Sequence, residues 1–252
     1  NLRYIGVLAT GYNIIDTQAA QKRGIVVTNI PAYSTNSVAQ LVFAHILAHF
    51  NRVEHHNQYI QNGGWCSSPY DSFFITPQTE LAEKTLGIVG YGNIGQKIAQ
   101  IARAFDMNVL ISSRSEKKDL PDGVQQVSVE TLFEQSNIVS LNCPLTNETS
   151  GFVNRQLISK MKPNALIVNT GRGPLINETD LAEALQRGDI AGASLDVLSV
   201  EPPLPNNPML HAPNCILTPH MAWATREARA RLMHVALENL NAFLAGNPKN
   251  RV

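Results

Sequence analysis

The chain is poor in cysteine. Cys66, Cys143 and Cys215 are an odd number at wide spacings, with no CxxC pair and no histidines at zinc-ligand intervals. That excludes a disulfide scaffold or a zinc ribbon and leads us to expect reduced, mostly buried thiols. Neither sign of charge prevails: twenty Lys and Arg balance twenty Asp and Glu, so no whole-chain field would gather nucleic acid or anionic lipid. Long apolar runs are missing too, since stretches such as Leu41 to Leu47 are broken by His or polar residues well short of a bilayer span. No signal-peptide pattern opens the chain. The expectation is a cytoplasmic protein with neither nucleic-acid nor membrane partners. His45 and His49 would share a helix face at i, i+4, but no Glu follows His45 as a metalloprotease helix requires, so no metal is expected.

What is present suits one large or two modest cores: 252 residues, 44% of them hydrophobic. Tyr4 to Ala9, the Gly11 turn, Asp16 to Arg23 and Ile25 to Thr28 read as strand, short helix and strand, one step of a parallel sheet. A strand this early leads us to expect that the first domain lacks its opening elements here. With Ser34 or Asn36 as N-cap, Val38 to Phe50 is apolar on nearly every face, which predicts a buried helix and a candidate dimer contact. Asn62 to Pro77, rich in Gly, Pro and Ser, reads as an ordered loop between domains.

From Thr85 the alternation is regular. Strands are predicted at Thr85 to Val89, Asn108 to Ser112, Ile138 to Asn142, Ala165 to Asn169, Ala191 to Val197 and Cys215 to Thr218. Helical crossovers fall at Ile94 to Phe105, Val129 to Glu134, Arg155 to Met161 and Glu178 to Arg187, and a long helix from Thr225 to Ala245 is ended by Gly246 and Pro248. The fold class is α/β, with a doubly wound parallel sheet. We expect it to occupy residues 79–223, and a smaller domain to comprise residues 1–78 and 224–252.

Gly90, Gly92 and Gly95 form GxGxxG directly after an apolar strand and directly before a helix. The first permits a tight turn, the second a close approach of backbone to a pyrophosphate, the third close packing of helix on strand; Asn93 and Ile94 open the helix whose amides would face the anion. A dinucleotide site preferring NAD carries Asp or Glu about 20 residues on. Here Ser112, Ser113, Arg114 and Ser115 take that place. Ser113 and Arg114 suit a 2′-phosphate, so NADP(H) is favoured over NAD(H), which remains the alternative.

Three more segments stand where strands of this sheet should end: Val168-Asn169-Thr170-Gly171-Arg172-Gly173, Asp196-Val197-Leu198-Ser199-Val200-Glu201-Pro202 and Thr218-Pro219-His220-Met221-Ala222-Trp223. With the glycine loop they resemble, in order and spacing, the motifs of the D-isomer-specific 2-hydroxyacid dehydrogenases, from about residue 1 to the C-terminus. His220 to Arg229 is most similar to the glycerate dehydrogenase and hydroxypyruvate reductase branch. The resemblance implies two Rossmann-like domains, the smaller flavodoxin-like, and reduction of a small 2-keto acid such as hydroxypyruvate or glyoxylate.

Such a reduction needs a cation to hold the carboxylate and polarise the ketone, for which Arg172 offers a planar two-point donor. It also needs a proton for the oxygen, which a histidine can carry near neutral pH. The resemblance makes His220 that acid/base, Glu201 its carboxylate partner and Arg172 the substrate arginine. It further implies that Asp196 bonds the nicotinamide carboxamide, that Cys143, Pro144 and Thr149 flank the cofactor, and that Thr170, Gly171 and Ala222 line it. Leu8 to Tyr12 resembles the family loop whose amides hold the substrate carboxylate, giving Thr10 and Gly11 as substrate contacts, and a homodimer is expected.

Departures from the pattern are Gln40, where relatives often have Glu; Gly171, where many have Ser or Ala; and Cys143, where many have His. None removes a catalytic group. A dinucleotide-sensing corepressor uses the same scaffold and is the alternative of a different class, although it would be expected to carry docking extensions. Formate dehydrogenase pairs its histidine with Gln, and Glu201 argues against it. A phosphoglycerate enzyme would be expected to add a regulatory domain after Ala245.

Overall fold

Strand and helix alternate along most of the chain, with α3 and β5 added to the elements that the hydrophobic pattern predicts. The computed structural model describes residues 1–252. It opens with β1 (Tyr4–Gly6), α1 (Thr17–Lys22) and β2 (Val26–Thr28), followed by α2 (Thr35–Asn51) and α3 (Val53–Gln61). The series continues with β3 (Thr85–Val89), α4 (Asn93–Ala104), β4 (Asn108–Ser112), β5 (Val124–Gln126), α5 (Val129–Gln135) and β6 (Ile138–Leu141). Then come α6 (Arg155–Ile158), β7 (Leu166–Asn169), α7 (Glu178–Arg187), β8 (Gly192–Leu195), β9 (Cys215–Leu217) and α8 (Arg226–Leu244). No helix is long and apolar enough to cross a membrane.

The chain divides into two compact units, Asn1–Val38 with Met221–Val252, and Ala39–His220. In the first, β1 and β2 pair in parallel, Tyr4 opposite Val26. The Asp16 side chain caps α1, Oδ1 accepting the Ala19 amide at 2.8 Å. Ala228 and Leu232 of α8 pack on Ile30 and Tyr33, and Gly246, at φ +76°, ends α8 as expected.

The second unit holds a seven-stranded parallel sheet in the order β5-β4-β3-β6-β7-β8-β9. Every residue of β6, β7 and β8 is buried, as a parallel sheet covered on both faces requires. Side chains alternate between two cores. Leu86, Ile88, Ile138, Leu166 and Val168 join Ile98 and Ala102 of α4 on one side, while Val89, Val139, Leu141 and Ile167 join Leu132, Phe133 and Leu181 on the other.

Residues 39–78 group with this sheet, and the compact units part at Val38/Ala39 and His220/Met221. The cause is the apolar helix itself: Ala39, Val42, Phe43 and Ile46 of α2 are buried in the same core as Leu86, Ile88 and Ile98. That face of α2 is thus covered by its own chain. The thiols depart from expectation, since Cys66 is exposed and only Cys143 and Cys215 are largely covered. Burial pushes the Cys143 thiol up to about 11 and that of Cys215 to about 12. Because the thiolate is the nucleophile, iodoacetamide at pH 8 should alkylate Cys66 in the native protein and all three thiols after denaturation, counted by intact mass.

Candidate active site

Strand order reverses beside β3, which has β4 on one flank and β6 on the other. The carboxyl ends of the strands at such a switch point form the crevice of an open α/β sheet. The glycine loop lies there. Gly90 adopts φ +95°, and a Cβ on it would stand 2.6 Å from the Cys143 amide nitrogen. On Gly95 a Cβ would meet the Gly90 carbonyl oxygen at 2.2 Å. Gly92 differs: a Cβ there would touch no protein atom within 4 Å. It is the N-cap of α4, and no side chain caps the helix. Asn93, Ile94 and Gly95 form the first turn, which carries no acidic residue, so the positive end of the helix is open to an anion.

Other candidates for dinucleotide binding follow along the same edge. Ser113 and Arg114 come directly after β4, Arg114 exposed. Arg114 also helps hold the Glu148 carboxyl below the usual carboxylate range, after the larger effects of the Thr146 hydroxyl and a backbone amide. Cys143 and Pro144 follow β6, and the Thr149 hydroxyl closes their turn by donating to the Pro144 carbonyl at 2.8 Å. Thr170 and Gly171 follow β7. The buried Thr170 Oγ1 and Asn142 Oδ1 have no partner in the chain. Two orphaned polar atoms at adjacent strand ends, beside an uncapped helix and a glycine that leaves room, fit a nicotinamide dinucleotide.

The Arg, Glu and His segments follow the neighbouring strands β7, β8 and β9. Asn169 shapes the first: its Oδ1 accepts the Gly171 amide at 3.0 Å and its Nδ2 donates to the Arg172 carbonyl at 2.9 Å. Arg172 Nη1 donates to the Gly171 carbonyl at 2.8 Å. Glu201 Oε1 accepts the Leu198 amide at 3.0 Å, and its Oε2 lies 2.6 Å from His220 Nδ1. A carboxylate only accepts, so Nδ1 carries hydrogen and Nε2 is the ring atom left for proton exchange. Both side chains reach solvent, at 40% and 36% exposure.

His220 sits at φ +51°, unusual for a side chain of its size. Its amide is held by the Asp196 carbonyl at 2.7 Å and the Thr218 carbonyl at 3.0 Å. The Glu201 loop is pinned by Glu178, whose carboxylate accepts the amide and hydroxyl of Ser199 and the Asn207 side chain. Sequence reasoning missed both Glu178 and Asn169. For the second, an Asn at the end of an apolar strand and two residues before Gly171 is a legible turn signal; Glu178 gives none beyond its place at a helix start. In the first unit, Thr10 Oγ1 donates to the Ile30 carbonyl at 3.0 Å, Gly11 follows it beyond β1, and the Ala222 carbonyl accepts the Ser37 hydroxyl.

Comparison with known proteins agrees with this edge. Residues 43–222 match the family described as D-isomer specific 2-hydroxyacid dehydrogenase, NAD binding domain. A hydroxypyruvate reductase of Blautia hydrogenotrophica is 47% identical over 253 residues, covering 100% of this chain and 79% of the relative. A glycerate dehydrogenase of Methylorubrum extorquens is 37% identical over 254 residues, again 100% of this chain and 79% of the relative. The solved NADPH-dependent glyoxylate/hydroxypyruvate reductase of Sinorhizobium meliloti, in complex with NADP and malonate, superposes with a TM-score of 0.90 at 31% identity, covering 100% of this chain and 77% of that one. The chain belongs to the D-isomer-specific 2-hydroxyacid dehydrogenase family and is an oxidoreductase that moves hydride between a nicotinamide dinucleotide and a small 2-keto acid.

Proposed function

We propose that this enzyme reduces hydroxypyruvate and glyoxylate to D-glycerate and glycolate, with His220 as proton donor, Glu201 as its partner and Arg172 as the substrate cation. The 2.6 Å Glu201–His220 pair at the end of β9 is the observation that carries the reading. The dinucleotide, when bound, supplies the hydride. His220 Nε2 gives its proton to the ketone oxygen, so that a 2-hydroxy acid forms and the imidazole is left neutral. Glu201 Oε2 accepts the Nδ1 hydrogen and so fixes the orientation of the ring. Arg172 holds the keto acid's carboxylate and draws charge toward its oxygen. Thr10 and Gly11 of the first unit serve the substrate carboxylate. Gly90, Gly92, Asn93, Ile94, Gly95, Cys143, Pro144, Thr149, Thr170, Gly171, Asp196 and Ala222 serve the dinucleotide.

Ser113 and Arg114, in a Ser112 to Ser115 stretch that carries no carboxylate at the end of β4, support NADP(H) over NAD(H). Steady-state reduction of hydroxypyruvate, glyoxylate and pyruvate, with NADPH and NADH at equal concentration, tests both parts. Turnover should be faster on the first two acids and with NADPH, and Arg114→Ala should reduce the NADPH/NADH ratio of kcat/KM about tenfold, the worth of a charge-assisted contact. Dinucleotide binding without turnover on any 2-keto acid would overturn the reading in favour of a dinucleotide sensor.

The expected homodimer finds support in residues 53–74. Helix α3 buries none of its residues, and Val53, Trp65, Tyr70 and Phe74 are exposed large apolar side chains in one stretch. Light scattering should give twice the chain mass, and Val53→Asp with Phe74→Asp should give the single chain mass; a parent of single mass would defeat this part.

A further inference from the structure

Behind the end of β9 runs a hydrogen-bonded chain that hydride transfer does not itself require. The Thr218 hydroxyl donates to Asp196 Oδ1 at 2.5 Å, and His45 Nε2, from α2, lies 3.1 Å from the same hydroxyl. Asp196 is 1% exposed and His45 3%. A hydroxyl has one proton to give. Thr218 gives its proton to Asp196, so it accepts one from His45, whose neutral ring must be the Nε2–H tautomer. Burial lowers His45 below the ordinary imidazole range, with the charge of Asp196 working in the other direction, so a neutral ring is the form that stays here.

Burying a carboxylate, a hydroxyl and an imidazole is costly unless each is satisfied, and here each satisfies the next. Val at 218 and Leu at 45 would fill similar space without that cost. Asp196 also reaches the acid/base pair through its backbone, because its carbonyl holds the His220 amide in the left-handed conformation. A group that fixes the Asp196 carboxylate therefore fixes the cofactor contact proposed above.

We propose that His45 and Thr218 are positioning residues for Asp196, a buried donor chain that holds its carboxylate for the amide of the nicotinamide ring. The proposal rests on the function given above, in which Asp196 meets the cofactor. A purely structural role predicts loss of stability alone; a positioning role predicts that dinucleotide affinity moves and that the side chain's chemistry, not its size, restores it.

The test uses the purified full chain, with NADPH binding followed by its fluorescence, kcat and KM for hydroxypyruvate, thermal unfolding, and the 15N shifts of the His45 ring. Thr218→Val should weaken NADPH binding about tenfold and leave KM for hydroxypyruvate at saturating NADPH unchanged. Thr218→Ser and His45→Gln, which keep the donors, should bind within about threefold of the parent, whereas His45→Leu should resemble Thr218→Val. The 15N shifts of the parent should report Nε2–H. A folded Thr218→Val that binds NADPH like the parent, a Thr218→Ser no better than Thr218→Val, or an Nδ1–H tautomer would each overturn the proposal. If Thr218→Val does not fold, the serine variant and the parent's tautomer decide. A parent that binds no dinucleotide would overturn the function reading and this proposal together, whereas a parent that binds and variants that match it overturn this proposal alone.

Discussion

His220→Gln should lower kcat for hydroxypyruvate reduction by about 10²–10⁴-fold, the range for loss of a positioned general acid, while NADPH binding stays as in the parent. Gln can reach Glu201 by hydrogen bonding but has no exchangeable charge to give the ketone oxygen. Glu201→Gln should cost less, because Nε2 can still carry hydrogen once Nδ1 loses its carboxylate. Reduction consumes a proton and oxidation releases one, so the two directions should respond oppositely to rising pH, reduction falling and oxidation rising. Arg172→Gln should raise KM as well as lower kcat, since it removes ground-state binding along with polarisation. A His220→Gln enzyme of normal kcat would move the proton source elsewhere.

Much of this site could be read from residues because each motif sits at the end of an apolar strand. Leu86 to Val89 followed by Gly90 predicts a strand entering a turn, and the open α4 N-terminus follows from the absence of a capping side chain at Gly92. The pairing of Glu201 with His220 came from the resemblance, not from spacing. They stand nineteen positions apart with a whole strand between them, and only the parallel pairing of β8 with β9 brings the two loops to one edge. Strand β5 escaped notice because Val124–Gln126 has one buried residue and two polar ones, and α3 because its face meets no core.

Helix α2 teaches a different point. Its near-uniform apolarity signals burial but not the partner, so nothing in Val38 to Phe50 says that the helix packs on Leu86 and Ile98. His45 was legible only as a histidine on an apolar helix. Its role depends on Thr218, 173 residues away along the chain, a distance over which no local pattern speaks.

Gly95→Ala and Gly92→Ala should separate the folding role of the glycine loop from its binding role. At position 95 the added Cβ would lie 2.2 Å from the Gly90 carbonyl oxygen, so α4 must move away from the turn. A cost of about 1–3 kcal/mol is the ordinary range for such overpacking, and NADPH binding should be lost with the loop geometry. At position 92 the backbone is extended, φ −85° and ψ −164°, and the Cβ meets no protein atom. Gly92→Ala should therefore unfold at the parent's temperature yet bind NADPH at least tenfold more weakly, a loss of about 1.4 kcal/mol, because the methyl enters the space beside the open helix amides. Fluorescence titration and thermal unfolding of both variants check this. Parent-like binding by a stable Gly92→Ala would mean that the pyrophosphate does not approach the backbone there. Parent-like stability of Gly95→Ala would mean that α4 has room to retreat without loosening the turn.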